Sequence, residues 1–526
     1  MTDSHDMAHA SSALWRRNDA KAAAFILAGL LILRLLAIAI DPHSLYADET
    51  QYWLWSQNFD WGYFSKPPMI AWIIALTTGL FGDADWAVRL AAPFLHTGTA
   101  IFVGLTTRRL FGDAAGAAAV ILWLVMPAVW MSGTLITTDG PLVFCWSIGL
   151  YALARLRDGA GWTSSAVLGL AAGCAFLAKY AAIYFFIGCA LALLLDGPAR
   201  RALISLKGVL AGLLAAALIA PNLAWNAAND FATVSHTAAN ANWSGPLFNP
   251  GEMLSFIGEQ FAVFGPVAFA VLVIAIVTAA QAFNRSDDAR PRLLLAGFIV
   301  PALAIVALQA FISRAHANWA ASAYVAGTIL IAVFLTSGPG WRRWALYGSV
   351  GLHAVAGLAA MALAFSTPLS TALGVSDGFK RVREWPATAA ALAVEAERAG
   401  VDVVVFDNRN DFHQMQRYGG AINAELFMWL RHGGAHNFAE ATWPLPAGHA
   451  GSVLVVSERH HEIPVLRRDF ARLERFGEIR IDHGGAERKG PRHYRLFIAS
   501  GYQPVERTAE FEAEIAQAMA VHRETP

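Results

Sequence analysis

From Ala22 to about Phe365 the chain is a succession of apolar runs, many of them near the roughly 20 residues that carry a helix across a bilayer. Backbone groups in lipid have to be satisfied within their own segment, so such runs fold as helices that span a membrane or lie in it. Composition agrees: 56% of the 526 residues are hydrophobic and 15% are charged, where soluble domains carry roughly 25% charged residues. Basic and acidic side chains balance at 39 each, and nothing in that balance suits nucleic acid. The rear of the first run reads DPHSLYADE, without a small-residue cleavage site, so the run reads as a retained helix rather than a signal peptide. Cys145, Cys174 and Cys189 lie in apolar runs and have neither disulfide nor metal spacing.

Charge placement sets the expected topology. Lys and Arg cluster at Arg16, Arg17 and Lys21; Arg108 and Arg109; Arg155 and Arg157; Arg200, Arg201 and Lys207; Arg285, Arg290 and Arg292; and Arg342 and Arg343. The intervening loops almost lack cations, so the positive-inside rule puts the clusters in the cytoplasm. Helices are then expected near 22–40, 86–107, 113–132, 140–157, 163–179, 181–195, 206–225, 256–281, 293–312, 320–336 and 344–366. That makes about eleven, with the N-terminus inside and the C-terminus outside. Met69–Leu80 is too short to span comfortably and follows Pro67 and Pro68; it reads as an interfacial or re-entrant helix on the outer side. Tyr52, Trp53, Trp55, Trp61, Tyr63 and Trp72 suit that depth.

From about Ser370 charged residues return. REWPATAAALAVEAERAG reads as an amphipathic helix ending at Gly400, and VDVVVFD, SVLVVSE and HYRLFIAS read as strands. The expected fold class is an α-helical polytopic membrane protein with a C-terminal soluble α/β domain. Its parts are a disordered cytoplasmic tail at 1–19, a membrane domain at 20–369 with its first outer loop at 41–85, and an outer domain at 370–526.

The polar residues of the outer ends carry the candidate chemistry. Asp48 and Glu49 sit in the first outer loop among Tyr and Trp; such acids can be plain solvated charge, or one can serve as general base toward a hydroxyl. Asp139 in TTDGP, Lys179 and Tyr180 in LAKYA, PNLAWN at 221–226, and Arg314, His316, Asn318 and Trp319 in SRAHANW fall at ends on the same side. A lone cation at a helix end can simply snorkel. Yet Lys66, Lys179 and Arg314 stand in loops that otherwise avoid cations, and together they suit a phosphate. Arg34, inside the first helix, is expected in an ion pair or a hydrated place. There is no P-loop and no dinucleotide-type glycine fingerprint. The histidines form no zinc spacing, and His413, His432, His436, His460 and His461 are expected on the surface. No metal ligand set is expected, although a divalent cation at Asp48, Glu49 or Asp139 is compatible with the spacing.

ADETQYW, GYFSKPP, WAVRLAAPFLHTGTAIFVGLTTRRLFG, TDGPL and FLAKY together resemble the C-type membrane glycosyltransferases. The branch is the one that holds protein O-mannosyltransferases and the lipid A aminoarabinose transferase. The resemblance covers roughly 34–180 well. It implies a sugar donor on a polyprenyl phosphate, Asp48 as the catalytic carboxylate, Lys66 near the donor phosphate, and Asp139 as the second acidic position. Thr50 and Gln51 stand where the aminoarabinose transferases usually carry Arg and Glu, and Ser65 where they carry an acid.

The expected activity is therefore inverting transfer of a sugar to a lipid, glycan or protein acceptor of the envelope, at the periplasmic face of a bacterial inner membrane. Lys66, Arg314 and Lys179 would face the donor phosphate. Asp139, Tyr52, Tyr63, Tyr180, His316 and Trp319 would line the substrates. The rival reading is a transporter or flippase of lipid-linked sugars, which calls for ionisable groups near the midplane and broken helices in paired halves; the chain shows no such repeat.

Overall fold

A computed structural model of the chain describes residues 3–524 apart from 244, 246, 283–289 and 485–489, with side chains in the two terminal helices given for 20–40, 509–517 and 519. The chain forms two compact units, 1–41 with 59–361, and 42–58 with 362–526. Residues 42–58, expected as part of the membrane domain's outer loop, thus belong to the unit that holds the C-terminal domain. The first helix runs Asp3–Ile40, so the polar stretch to Asp19, expected as a disordered tail, continues that helix.

Among its described residues the first unit is built of helices joined by loops, with no strand. Among the described residues five helices are long and apolar enough to cross a membrane: Ala20–Ile40, Asp85–Phe111, Leu206–Ala228, Arg290–Ile312 and Gly340–Phe365; two bent pairs bring the number to seven if each is one span. Every expected segment contains helix, but not all are single spans. The run at 256–281 is two helices, Pro250–Val263 and Pro266–Gln281, bent by 111°. The cause is local. Gly265 adopts a φ of +104° that a side chain would resist, and Pro266 cannot donate to the preceding turn. Similarly, 113–132 breaks at Met126, before Pro127 at the start of Pro127–Ser132. Met69–Phe81 is a 13-residue helix, as its length and flanking prolines suggested.

Helix ends sort into two groups, as the charge pattern required. At the basic ends Arg157 Nε meets Asp196 Oδ2 at 3.0 Å, Arg109 pairs with Asp158 at 2.8 Å, and Lys207 Nζ donates to the Ala160 carbonyl at 2.8 Å. The ends carrying Asp139, Lys179, Asn222 and Asn318 meet one another instead. Between the two groups the bundle is packed with aromatic rings, among them Trp123, Trp146, Phe185 and Phe298, all buried. Arg34 is fully buried, but its partners are not acids. Its Nη2 donates to the Leu124 carbonyl at 2.7 Å and the Val129 carbonyl at 3.4 Å. The break at Met126–Pro127 leaves the Leu124 carbonyl without a helical partner, and that acceptor takes the place of the ion pair expected for Arg34.

The second unit is a five-stranded sheet. Strands β1 (Val403–Phe406), β2 (Glu425–Met428), β3 (Val453–Ser457), β4 (Phe470–Ile481) and β5 (Arg492–Tyr502) lie in the order β2-β1-β3-β5-β4. The first three pair in parallel and the last two antiparallel. The central β1 and β3 are buried at every position, which is why they read as unbroken β-branched runs. Helix Trp385–Ala399 covers one face and ends at Gly400 with φ 62°, the expected left-handed stop. His413 is fully buried rather than on the surface, with its ring 6.1 Å from Phe412 and 6.3 Å from Phe438. Burial, and then the Arg409 charge, push it down to about 3, so it is neutral at any ordinary pH.

Candidate active site

In the first unit the site is built on a polar chain that links three helix ends and one loop. Lys179 ends helix Trp162–Ala178 in an extended conformation, φ −163° and ψ 137°, and its side chain reaches the start of the preceding helix, Asp139–Arg157. Its Nζ meets Asp139 Oδ1 at 2.7 Å, with the two side chains 17% and 16% exposed. Asp139 opens helix Asp139–Arg157, where the helix dipole favours an anion. Its other oxygen accepts from Asn318 Nδ2 at 3.0 Å. One carboxylate thus ties LAKY, TDGP and SRAHANW together.

Next to Lys179, the Tyr180 hydroxyl donates to Asn222 Oδ1 at 3.0 Å and accepts from Asn226 Nδ2 at 2.9 Å. Asn222 Nδ2 in turn donates to the Trp61 carbonyl at 2.7 Å. Both asparagines are fully buried, which accounts for the polar PNLAWN inside a helix. The 59–68 loop is held further by Thr233 Oγ1 on the Tyr63 carbonyl at 2.6 Å and by Trp72 Nε1 on the Asp60 carbonyl at 2.9 Å. Phe59 stacks on Trp72 at 5.2 Å and Trp61 meets that ring edge-on at 5.1 Å. Gly62 lies so near Trp225 that a Cβ there would come within 2.3 Å of the indole. The Lys66 carbonyl accepts from the Tyr63 amide at 3.1 Å, which closes the turn that presents Lys66. Burial raises the Tyr63 phenol to about 12, so it stays protonated.

The SRAHANW segment carries exposed Arg314 and His316 and half-buried Trp319. His316 meets the Trp319 ring edge-on at 5.3 Å. Gln309 Nε2 holds the Arg314 carbonyl at 3.2 Å, and Gln260 Nε2 holds that of Ala317 at 3.2 Å. Gln260 itself accepts from the Tyr324 hydroxyl at 2.5 Å, a buried support that the sequence did not single out.

Asp48, Glu49 and Tyr52 lie in the second unit, on helix Ala47–Ser56. The two acids have different surroundings. Glu49 is 1% exposed and its Oε2 accepts from the Tyr46 amide at 2.8 Å, closing the first turn. Asp48 is exposed, and among the described residues its side chain has no hydrogen-bond or ion-pair partner. Tyr52 is buried, with its ring 5.3 Å from Trp55. Among the described residues no three His, Cys, Asp or Glu side chains come together as a metal cage would require.

Comparison with known proteins gives a consistent answer. The family described as dolichyl-phosphate-mannose-protein mannosyltransferase matches residues 65–225. A lipid A galacturonosyltransferase of Rhizobium johnstonii, RgtD, is 34% identical over 80% of this chain and 85% of its own. A lipopolysaccharide core galacturonosyltransferase of the same organism, RgtA, is 28% identical over 54% of this chain and 59% of its own. Among solved structures, ArnT from Cupriavidus metallidurans bound to undecaprenyl phosphate superimposes with a TM-score of 0.63 at 14% identity, covering 90% of this chain and 97% of that one. The apo form of the Archaeoglobus fulgidus oligosaccharyltransferase has a TM-score of 0.50 at 12% identity over 86% of this chain and 70% of that one. A shared bundle and a relative at this identity over most of both chains agree: the chain is a multi-pass membrane protein and belongs to the C-type membrane glycosyltransferases.

Proposed function

We propose that this glycosyltransferase moves a hexuronic acid, galacturonic acid in the first instance, from a polyprenyl phosphate to lipid A or the lipopolysaccharide core. The reaction would take place at the periplasmic face of a bacterial inner membrane. The sugar and acceptor rest on the relative at 34% identity across most of both chains. The observation that carries the chemistry is the exposed, unpartnered carboxylate of Asp48 in the first turn of its helix.

In this reading Asp48 takes the proton from an acceptor hydroxyl as that oxygen attacks the anomeric carbon. The bond from that carbon to the phosphate oxygen breaks on the opposite face, the electron pair leaves with the phosphate, and configuration inverts. Lys66 and Arg314 offset the growing phosphate charge. Lys179 acts with Asp139 as an ion pair that fixes the helix ends around the donor. Glu49, which closes the first turn, holds Asp48's helix rather than reacting. Tyr63, Tyr180, His316 and Trp319 line the donor side, and Tyr52 packs behind the base.

The test is mass spectrometry of lipid A and core from a host lacking the gene, complemented with wild type or Asp48→Asn. The expected result is loss of one hexuronic acid mass in the deletion, restored by wild type alone at equal expression. Restoration by Asp48→Asn would remove the base from the mechanism. Loss of a different sugar mass would replace the donor.

A further inference from the structure

The segment that carries Asp48 is built into the C-terminal domain more firmly than a surface loop would be. Leu45, three residues ahead of the acid, has both backbone groups held from one helix, Arg409–Tyr418. Its amide donates to the Tyr418 hydroxyl at 2.7 Å, and its carbonyl accepts from Gln414 Nε2 at 2.9 Å. The Ser44 amide donates to the Val382 carbonyl at 2.9 Å, and the Tyr46 hydroxyl accepts from Arg381 Nη1 at 2.7 Å. Beyond the acid, the Arg417 guanidinium lies 4.5 Å from the centre of the Trp53 ring, and Trp55 meets Phe438 edge-on at 5.6 Å. The helix is therefore fastened before and after Asp48, while Asp48 itself stays exposed.

The fastening helix is in turn fixed by the sheet. Strand β1 runs into it through Asp407, which is 3% exposed. That carboxylate accepts from Ser457 Oγ at 2.6 Å and from the amides of Glu458 at 3.0 Å and Arg459 at 3.1 Å, all at the end of β3. Asn408 caps the helix by accepting from the Asn410 amide. Phe412 and Met415 are buried in the core, and Tyr494 of β5 donates to Asp411 at 2.9 Å. Apolar contact alone would let a short helix rotate or slide. Paired bonds to the N–H and C=O of one residue fix its register and its rotation.

From this clamp we infer that the C-terminal α/β domain is part of the catalytic machinery: through Tyr418, Gln414, Arg381 and Arg417 it sets the position of the Asp48 carboxylate. These four are positioning residues, and the inference rests on Asp48 being the base. Displacing a base by about 1 Å costs on the order of a hundredfold in rate.

The experiment uses the full chain, purified in lipid nanodiscs. Turnover of the lipid-linked donor is expressed per binding site for undecaprenyl phosphate, so that unfolded protein is not counted. Tyr418→Phe combined with Gln414→Leu is expected to lower kcat per site at least tenfold, with the donor KM and the affinity for undecaprenyl phosphate within twofold of wild type. A merely structural role would instead lower the number of sites and leave the rate per site unchanged, and that result overturns the inference. If Asp48→Asn is inactive and the clamp variant turns over at the wild-type rate, the inference fails and the base assignment stands. If Asp48→Asn turns over at the wild-type rate, both fail.

Discussion

Neutralising the Asp139–Lys179 pair gives the sharpest measure of how these helix ends are held and of the donor role proposed for them. The charged atoms are 2.7 Å apart, and at an effective dielectric of about 20 their attraction is roughly 6 kcal/mol. Both side chains are about five-sixths buried, so their lost hydration cancels most of that gain, and the coupling that remains should be about 1–3 kcal/mol. Asp139→Asn leaves Lys179 without its counter-charge but keeps an acceptor for Asn318. Lys179→Met leaves Asp139 ionised beside Asn318 alone. Each should lower kcat/KM for the lipid-linked donor, and the double variant should be less impaired than the product of the two by about 5–150-fold. Initial rates across a donor titration, for the four proteins at equal site number, supply the cycle. If the double variant equals the product of the singles within twofold, the two residues do not act as a unit, and the account of this site as one tied set of helix ends is wrong.

Three other outcomes follow from the same structure. Gly62→Ala should raise the donor KM about tenfold, because the added methyl strikes Trp225, and Trp225→Leu in the same chain should recover most of the loss; no recovery would mean that the loop is not docked there. Asn222→Leu orphans the Trp61 carbonyl and the Tyr180 hydroxyl proton at about 1–3 kcal/mol each, so chymotrypsin should cut the 59–68 loop, at Phe59, Trp61, Tyr63 or Phe64, faster than in wild type, and equal cleavage would refute the tie. Burial first, then the Glu458 charge, hold the folded Asp411 carboxyl well above the usual range, while unfolded it titrates near 3.9. The folded chain then keeps a proton that the unfolded chain has lost, so stability falls as pH rises from about 4 upward. Asp411→Asn should therefore resist proteolysis within 362–526 better than wild type at pH 8 and lose that advantage near pH 4; parallel pH curves would refute it.

How much of this was legible beforehand depends on the range of the interactions. The apolar runs, the basic ends, β1, β3 and the stop at Gly400 are local signals, and each is where the residues put it. The polar set that links the helix ends was also legible, because Asp139, Lys179, Asn222 and Asn318 sit at run ends, where charge placement alone sorts them. The break at Gly265 was written in the Gly-Pro pair, but averaging hydrophobicity over a long run hid it. Strand β4, FARLERFGEIRI, was missed because one face is solvated and its charges resemble those of a loop or helix. The place of 42–58 could not be read at all. Its partners Val382, Gln414 and Tyr418 lie more than 300 residues away, and no local pattern in ADETQYW announces them. Arg34 was misjudged for a related reason, since its acceptors are backbone carbonyls that carry no side-chain signature.

The grouping of 42–58 with 362–526 also orders the protein's birth. From Asn58 to Ala362 is 304 residues (362 − 58), which a ribosome adding about 5–20 residues each second covers in roughly 15–60 s. Throughout that interval the segment's partners in 362–526 have not yet been made. A chain stalled or cut before Ala362 lacks every residue of 362–526, the part that 42–58 packs with. On the role proposed for Asp48, activity waits until residues 362–526 have been made and folded.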